Sequence, residues 1–156
     1  MSDAKNSALL SAKEAMTQFG VFSRHEFMAN GELRFRLAGA DGSGCARTVA
    51  GRTGGWQNSH KHERSRETYI VQSGWMLLAS LREGIAQFHR LAPGEIAAAQ
   101  PGVPHNVYLP AAAVIHTVKH GDVGTGDWVA CPTLDHATKA LSEAEALEKI
   151  ASRQSA

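Results

Sequence analysis

The sequence has few of the features that mark disulfide-rich, nucleic-acid-binding and membrane proteins. Its 156 residues include two cysteines, Cys45 and Cys131. One such pair does not make a disulfide scaffold in a chain of this size, so we expect both thiols to be free. The 16 basic residues nearly cancel the 15 acidic ones. A chain with almost no net charge has no field to attract phosphate backbones, so we expect no nucleic-acid partner.

Long apolar runs are also missing. Residues 96–118 carry no Asp, Glu, Lys or Arg, but Pro101, Pro104 and Pro110 interrupt them, which a membrane helix would not tolerate easily. We therefore expect no membrane partner. Residues 1–17 lack the continuous apolar segment of a secretory signal, so the expected location is cytoplasmic.

The composition that remains is that of one globular domain. Apolar residues make up 43% and charged residues 20% of the chain, and we expect residues 1–156 to form a single domain. Fourteen of the fifteen glycines lie between Gly31 and Gly126, so the Gly-poor ends are the helical candidates. Ser-x-x-Glu capping boxes at Ser11 and Ser142 predict short flanking helices over about 7–20 and 135–152.

Between these ends the hydrophobic period is two, which is typical of strands. In the first run, Arg34 and Arg36 alternate with Leu33 and Phe35, which predicts a half-buried strand with its charged face in water. About nine such runs are separated by turn clusters and have no helices between them. They favour an all-β sandwich or barrel with a core of about residues 30–131. The runs cover residues 32–37, 45–50, 67–73, 75–81, 85–91, 95–99, 105–109, 113–119 and 127–131.

Histidines supply the candidate chemistry. His60 and His62 are two residues apart, so they share one face of an extended segment. A bend over residues 63–66 would bring Glu67 to the same interior, and His105 opens a later strand. Three imidazoles and a carboxylate suit one divalent ion such as Fe, Zn, Mn, Ni or Co. The alternative is a polar exposed loop with a separate structural histidine, and a bare His-x-His favours that alternative.

The surrounding glycines make this region resemble the two signature motifs of the cupin superfamily. The first motif is matched at every position, from Gly54 through His60, His62 and Glu67 to Gly74. The second matches in frame, with glycines at 94 and 102 and the histidine at 105. It departs from the pattern at two positions, where Gln100 replaces the usual Pro and Leu109 the usual Asn.

This resemblance implies a single jelly-roll β-barrel whose interior metal is held by His60, His62, Glu67 and His105. It implies a small-molecule ligand or substrate and, from the habit of small barrels in the family, a homodimer. The activity is then that of a metal-dependent enzyme of dioxygenase, isomerase or lyase type. The alternatives are a non-enzymatic binding or sensing module and a sugar-modifying epimerase or isomerase of the same barrel family.

Strand parity suggests which side chains join the ligands in the interior. It selects Asn58, Tyr69, Val107 and Leu109, and it leaves Arg66, with its neighbour Arg64, as the nearby cation for a substrate carboxylate.

Two further predictions concern residues outside the donor set. The four motif glycines are expected to be backbone devices rather than ligand contacts, at turns that need a positive φ or a close approach of the chain. His116 and His120 are expected to lie on different faces of a strand and its end, and to be structural or exposed.

Overall fold

The computed structural model describes residues 9–151, over which the chain forms twelve strands and three helices. The strands are β1 (Val21–Phe27), β2 (Leu33–Gly39), β3 (Gly44–Val49), β4 (Gly55–Trp56), β5 (His60–His62), β6 (Ser65–Ser73), β7 (Met76–Arg82), β8 (Ile85–Leu91), β9 (Ile96–Ala99), β10 (His105–Leu109), β11 (Val114–Gly121) and β12 (Trp128–Ala130). The helices are α1 (Ala12–Phe19), α2 (Pro132–Thr138) and α3 (Glu143–Ala151). None of these helices is long and apolar enough to cross a membrane.

The strands form two antiparallel sheets that face each other. The first sheet has the order β1-β2-β3-β11-β6-β9, and the second has the order β12-β5-β10-β7-β8, with β4 also paired to β10. Neighbours in each sheet are often far apart in sequence, as β3 and β11 are, which is the jelly-roll arrangement. The all-β jelly roll with short flanking helices is confirmed.

The helices and three of the strands refine the predicted elements. The capping box at Ser11 is present at the start of α1, and Ser142 and Glu145 form the matching contacts before α3. The C-terminal helical segment is divided into α2 and α3. Positions 7, 8 and 152 of the predicted helices lie outside the described residues. Strands β1, β4 and β5 were not predicted from the sequence. Strand β1 has no clean alternation of apolar and polar residues, and β4 and β5 are too short to show a period.

The apolar core fills the space between the sheets at one end of the barrel. Val71, Met76, Leu109 and Ile115 are at most 1% exposed there. Burying side chains of this size stabilises the fold by about 1.5–3 kcal/mol each. Along the inner faces of β6 and β10, polar residues come first and apolar residues follow. The core therefore closes the bottom of the barrel, and the polar residues lie above it.

A second apolar cluster covers the outside of the second sheet. Leu77 and Tyr108 pack there against Ala146 of α3. The indole of Trp56 donates a hydrogen bond to the carbonyl of Leu141 at 3.1 Å. Helix α3 thereby shields the outer face of the second sheet from water.

The prediction for the motif glycines is confirmed, since Gly54, Gly74, Gly94 and Gly102 have φ between 66° and 84°. Space adds a second constraint at Gly54, where a Cβ would lie 2.5 Å from the carbonyl oxygen of Leu109. No side chain fits there without moving the backbone.

The prediction for β2 is wrong about which face meets water. Leu33 and Phe35 are 39% and 42% exposed, whereas Arg34 and Arg36 turn inward and line a cavity. Alternation fixes that two faces differ but not which one is buried. Here the buried Glu32 and the half-buried Glu26 pair with the two arginines.

Candidate metal centre and cavity

Three strands bring the four predicted donors to one point. His60 and His62 come from β5, Glu67 from β6 and His105 from β10. His105 is the direct cross-strand partner of His60, and the bend between β5 and β6 turns the Glu67 carboxylate toward both. One donor atom from each of the four residues lies within 4.8 Å of every other.

The imidazole nitrogens converge on the two carboxylate oxygens of Glu67. The Nε2 atom of His62 is 3.2 Å from Oε1. The Nε2 atoms of His105 and His60 are 3.2 Å and 3.4 Å from Oε2. A carboxylate surrounded by three nitrogens at this range needs a cation or protons between them, because lone pairs facing an anion repel it.

Backbone carbonyls fix the tautomer of two of the histidines. The Nδ1 atom of His60 donates to the carbonyl of Asn58, and that of His105 donates to the carbonyl of Val103, both at 3.0 Å. Carbonyl oxygens only accept, so Nδ1 carries the proton and the neutral Nε2 offers a lone pair to the centre. Both ring nitrogens of His62 are buried and make no hydrogen bond. An ion at the centre would satisfy its Nε2, so the donor set fits a metal.

Tyr69 holds the carboxylate in place. Its hydroxyl donates to Glu67 Oε2 at 2.6 Å, and the side chain is buried beside it. Burial alone would raise the pKa of Glu67, but the imidazoles of His105, His60 and His62 that surround its carboxylate together hold it well below its usual range. Burial, and then the negative charge of Glu67, raise the pKa of Tyr69 well above that of a free tyrosine. Glu67 is therefore anionic and Tyr69 a neutral donor.

Asp127 is a site residue that the sequence did not indicate. Its side chain is fully buried just before β12. It accepts hydrogen bonds from the backbone of Arg64 and from the backbone and hydroxyl of Ser65. Burial opposes ionisation, yet these bonds and the charge of Lys119 hold the pKa of Asp127 far below normal. The carboxylate thus fixes the bend between β5 and β6 and lies 3.5 Å from Nδ1 of His62.

A cavity of about 330 Å³ opens beside the donors. His60 and Glu67 face it directly, whereas His62 and His105 are 4% and 1% exposed beneath them. The indole of Trp128 stacks on the ring of His60, with centroids 5.5 Å apart and planes 23° apart. Two donors are therefore buried while the others border a space large enough for a small molecule.

The residues predicted to line this cavity divide into three groups. Tyr69 lines it as expected. Val107 and Leu109 face inward but belong to the core that closes its floor. The prediction for Asn58 is wrong, because this residue is exposed and its side chain accepts a hydrogen bond from Lys139. Strand β5 begins only at His60, so parity did not extend to residue 58.

The prediction that Arg66 and Arg64 supply the cation of the cavity is also wrong. Arg66 is exposed, and its parity on β6 is opposite to that of Glu67 and Tyr69. Arg64 is likewise exposed, with its guanidinium against the backbone of Gly124. The cations of the cavity come instead from β1, β2 and β11, as Arg24, Arg34, Arg36 and Lys119.

The histidines predicted to lie elsewhere do so, but one geometric expectation fails. His116 and His120 both belong to β11, and their even spacing places them on the same face of one strand. Each pairs with β6, His116 with Gln72 at 2.7 Å and His120 with Thr68 at 2.8 Å. Both are structural partners away from the donor cluster.

No family model and no curated protein matches the sequence. Solved structures do match. KdgF from Halomonas sp. aligns with 62% of this chain and 84% of its own at 20% identity, with a TM-score of 0.51. An uncharacterized protein with a double-stranded beta-helix domain from Klebsiella pneumoniae covers 81% and 98% at 23% identity, with a TM-score of 0.53.

A structure of an oxalate decarboxylase aligns with 70% of this chain at 12% identity, with a TM-score of 0.57. This chain spans 30% of that protein's length. At such identities the three likenesses establish the fold alone.

Proposed function

We propose that this chain, which has the cupin fold, is a divalent-metal enzyme acting on a small organic molecule. One observation carries the proposal: three imidazole Nε2 atoms and the Glu67 carboxylate face one another beside an open cavity. His60, His62, Glu67 and His105 would hold the ion. Borderline nitrogen donors with one carboxylate suit Fe, Zn, Mn, Ni or Co.

A bound ion would supply Lewis acidity or oxygen activation at this point. The protein's own residues do the rest. The carbonyls of Asn58 and Val103 keep Nε2 of two histidines free for the ion, Tyr69 orients the carboxylate, and Asp127 fixes the bend that carries Glu67. Supports of this kind set ligand orientation and basicity, and their loss typically costs 10–100-fold in metal affinity.

The cavity favours an enzyme over a purely structural metal. A centre that only braces a barrel would have its donors enclosed on all sides, as closed structural sites do. Here His60 and Glu67 border the cavity, which leaves a side of the centre open to a ligand. A binding or sensing module would share this geometry and would differ only in lacking turnover. The metal-free epimerase remains the weaker alternative, because all four donors are present together.

The test begins with purification without chelators or an affinity tag, followed by elemental analysis. We expect close to one transition-metal ion per chain, placed by anomalous scattering in crystals at the four donors. An ion at another position, or a chain that binds none of the five metals after dialysis against each, would overturn the proposal.

A further inference from the structure

The part of the cavity wall formed by β1, β2 and β11 is strongly cationic. Arg24, Arg34, Arg36 and Lys119 all line it. Among the lining residues that the structure describes, Glu67 is the one carboxylate, and a bound ion would more than neutralise it. The space beside the donors is thus electropositive, although the chain as a whole carries a net charge of +1.

Two of these cations already have dedicated partners. Arg34 directs both Nε and Nη2 at one oxygen of Glu32, at 2.9 Å and 2.6 Å, and the Glu32 side chain is 3% exposed. Lys119 lies 3.7 Å from the buried carboxylate of Asp127. These two pairs build the wall and leave little charge unbalanced.

Arg24 and Arg36 are different, because they share one carboxylate. They are direct cross-strand partners on β1 and β2, an arrangement in which like charges destabilise a sheet. Glu26 Oε2 accepts from Nε of Arg36 at 2.8 Å and lies 3.3 Å from Nη2 of Arg24. Each guanidinium offers five N–H donors, so most of their donors are not used by Glu26.

The register places this arginine pair in the same sheet as Glu67, three to four strands away around the cavity. Arg36 pairs with Ala46, Ala46 with Thr117, and Thr117 with Tyr69, which contacts Glu67. Strands lie about 4.8 Å apart, so three steps separate the backbones of Arg36 and Tyr69 by about 14 Å. Ala46 and Thr117 are small, which keeps the space between them open. An arginine side chain bridges part of that span and leaves room for a few carbon atoms.

We propose that the ligand of this cavity is a small organic carboxylate, whose anionic group is bound by Arg24 and Arg36 while its other end reaches the donor cluster. A guanidinium fork matches a carboxylate with paired hydrogen bonds. The inference rests on the proposed function only for the end that reaches the metal; the arginine contact is a separate claim.

The experiment is isothermal titration calorimetry of the full chain loaded with Zn(II), whose content is measured independently. The probes are the linear dicarboxylates from malonate to adipate and the neutral diamide of the dicarboxylate that binds most tightly. We expect at least one dicarboxylate to bind and its diamide to bind about tenfold more weakly or worse. Absence of binding by the whole series, or equal binding of acid and diamide, would overturn the proposal.

Variants then assign the effect to the arginine pair. Arg36→Gln and Arg24→Gln should each weaken dicarboxylate binding about tenfold or more, with zinc content unchanged. Arg24 is 61% exposed, so its replacement tests the idea even if Arg36→Gln disturbs folding. Arg66→Gln is the matched control, because Arg66 is exposed on the outward side of β6, and it should change nothing.

Failure of the two proposals is distinguishable. Normal zinc content with binding unaffected by either arginine variant removes the carboxylate inference alone. Absence of zinc at the donors, together with arginine-dependent binding of the dicarboxylate, removes the metal enzyme and leaves the anion site standing.

Discussion

Glu67→Gln is the most informative single change, because it removes the one anionic donor while keeping the size of the side chain. The carboxamide can donate to the lone pairs of the neighbouring Nε2 atoms, which lie 3.2–3.4 Å from the present carboxylate. We therefore expect the metal-free variant to be about as stable as the metal-free parent, within about 1 kcal/mol. The defect should appear only when metal is added.

The size of this defect follows from the linkage between metal binding and folding. Metal at 100 times its dissociation constant stabilises the folded parent by about 2.7 kcal/mol. For 156 residues the unfolding entropy is about 0.33 kcal/mol/K, so the melting temperature should rise by about 8 °C. Losing a residue that hydrogen-bonds to a metal ligand costs up to about 100-fold in metal affinity, and losing the anionic ligand itself should cost at least as much. At the same metal concentration the variant then gains about 0.4 kcal/mol, or about 1 °C.

The assay is differential scanning calorimetry with and without metal, combined with elemental analysis after dialysis. His116→Gln is the control, because its imidazole pairs with Gln72 outside the cluster, and it should keep the full metal-dependent rise. If Glu67→Gln shows the same rise and metal content as the parent, the assignment of the four donors is refuted.

Three further predictions concern the scaffold. Asp127→Asn should lower the free energy of unfolding by about 2–4 kcal/mol at pH 7, since a buried carboxylate with three hydrogen bonds loses its charge. Because the pKa of Asp127 is depressed in the folded state, the difference in stability between parent and variant should narrow as pH falls below about 4. Acid-unfolding curves that show a constant difference would contradict this. Gly54→Ala should destabilise the fold by at least 2 kcal/mol more than Gly102→Ala in urea unfolding. A Cβ at position 54 meets the carbonyl of Leu109 at 2.5 Å, while one at position 102 meets nothing within 4 Å. Equal losses of stability would show that the strain of positive φ alone determines the cost. We also predict a homodimer in light scattering at micromolar concentration, with Phe35→Glu on the outward apolar face of β2 shifting it toward monomer; a monomeric parent would remove this prediction.

Much of the fold and of the donor cluster was predictable because both depend on local spacing. Alternation marks strands wherever they are long enough to show a period, and His60, His62 and Glu67 are close in sequence. Their relation needs only an extended segment and one bend. His105 needed more, since its position opposite His60 depends on a cross-strand register that the resemblance to a known motif supplied.

The cavity wall was not predictable, because it depends on which face of a distant strand turns inward. An amphipathic strand with arginines on one side is normally placed with its charges in water. In β2 the buried carboxylate of Glu32 and the half-buried carboxylate of Glu26 pair with the arginines and reverse that choice. Asp127 was missed for a related reason: its role lies in hydrogen bonds to Arg64 and Ser65, which are more than sixty residues away, and the type of residue alone does not reveal such a contact.

The stacking of Trp128 on His60 gives the protein a built-in optical reporter. Trp56 and Trp75 belong to the cluster beneath α3, so their emission follows the docking of that helix. Trp128 is 51% exposed and lines the cavity. A paramagnetic ion at Nε2 of His60 would lie close enough to quench its red-shifted emission. Fluorescence at the red edge would then follow the occupancy of the centre, and emission at the blue edge the integrity of the scaffold, within one sample.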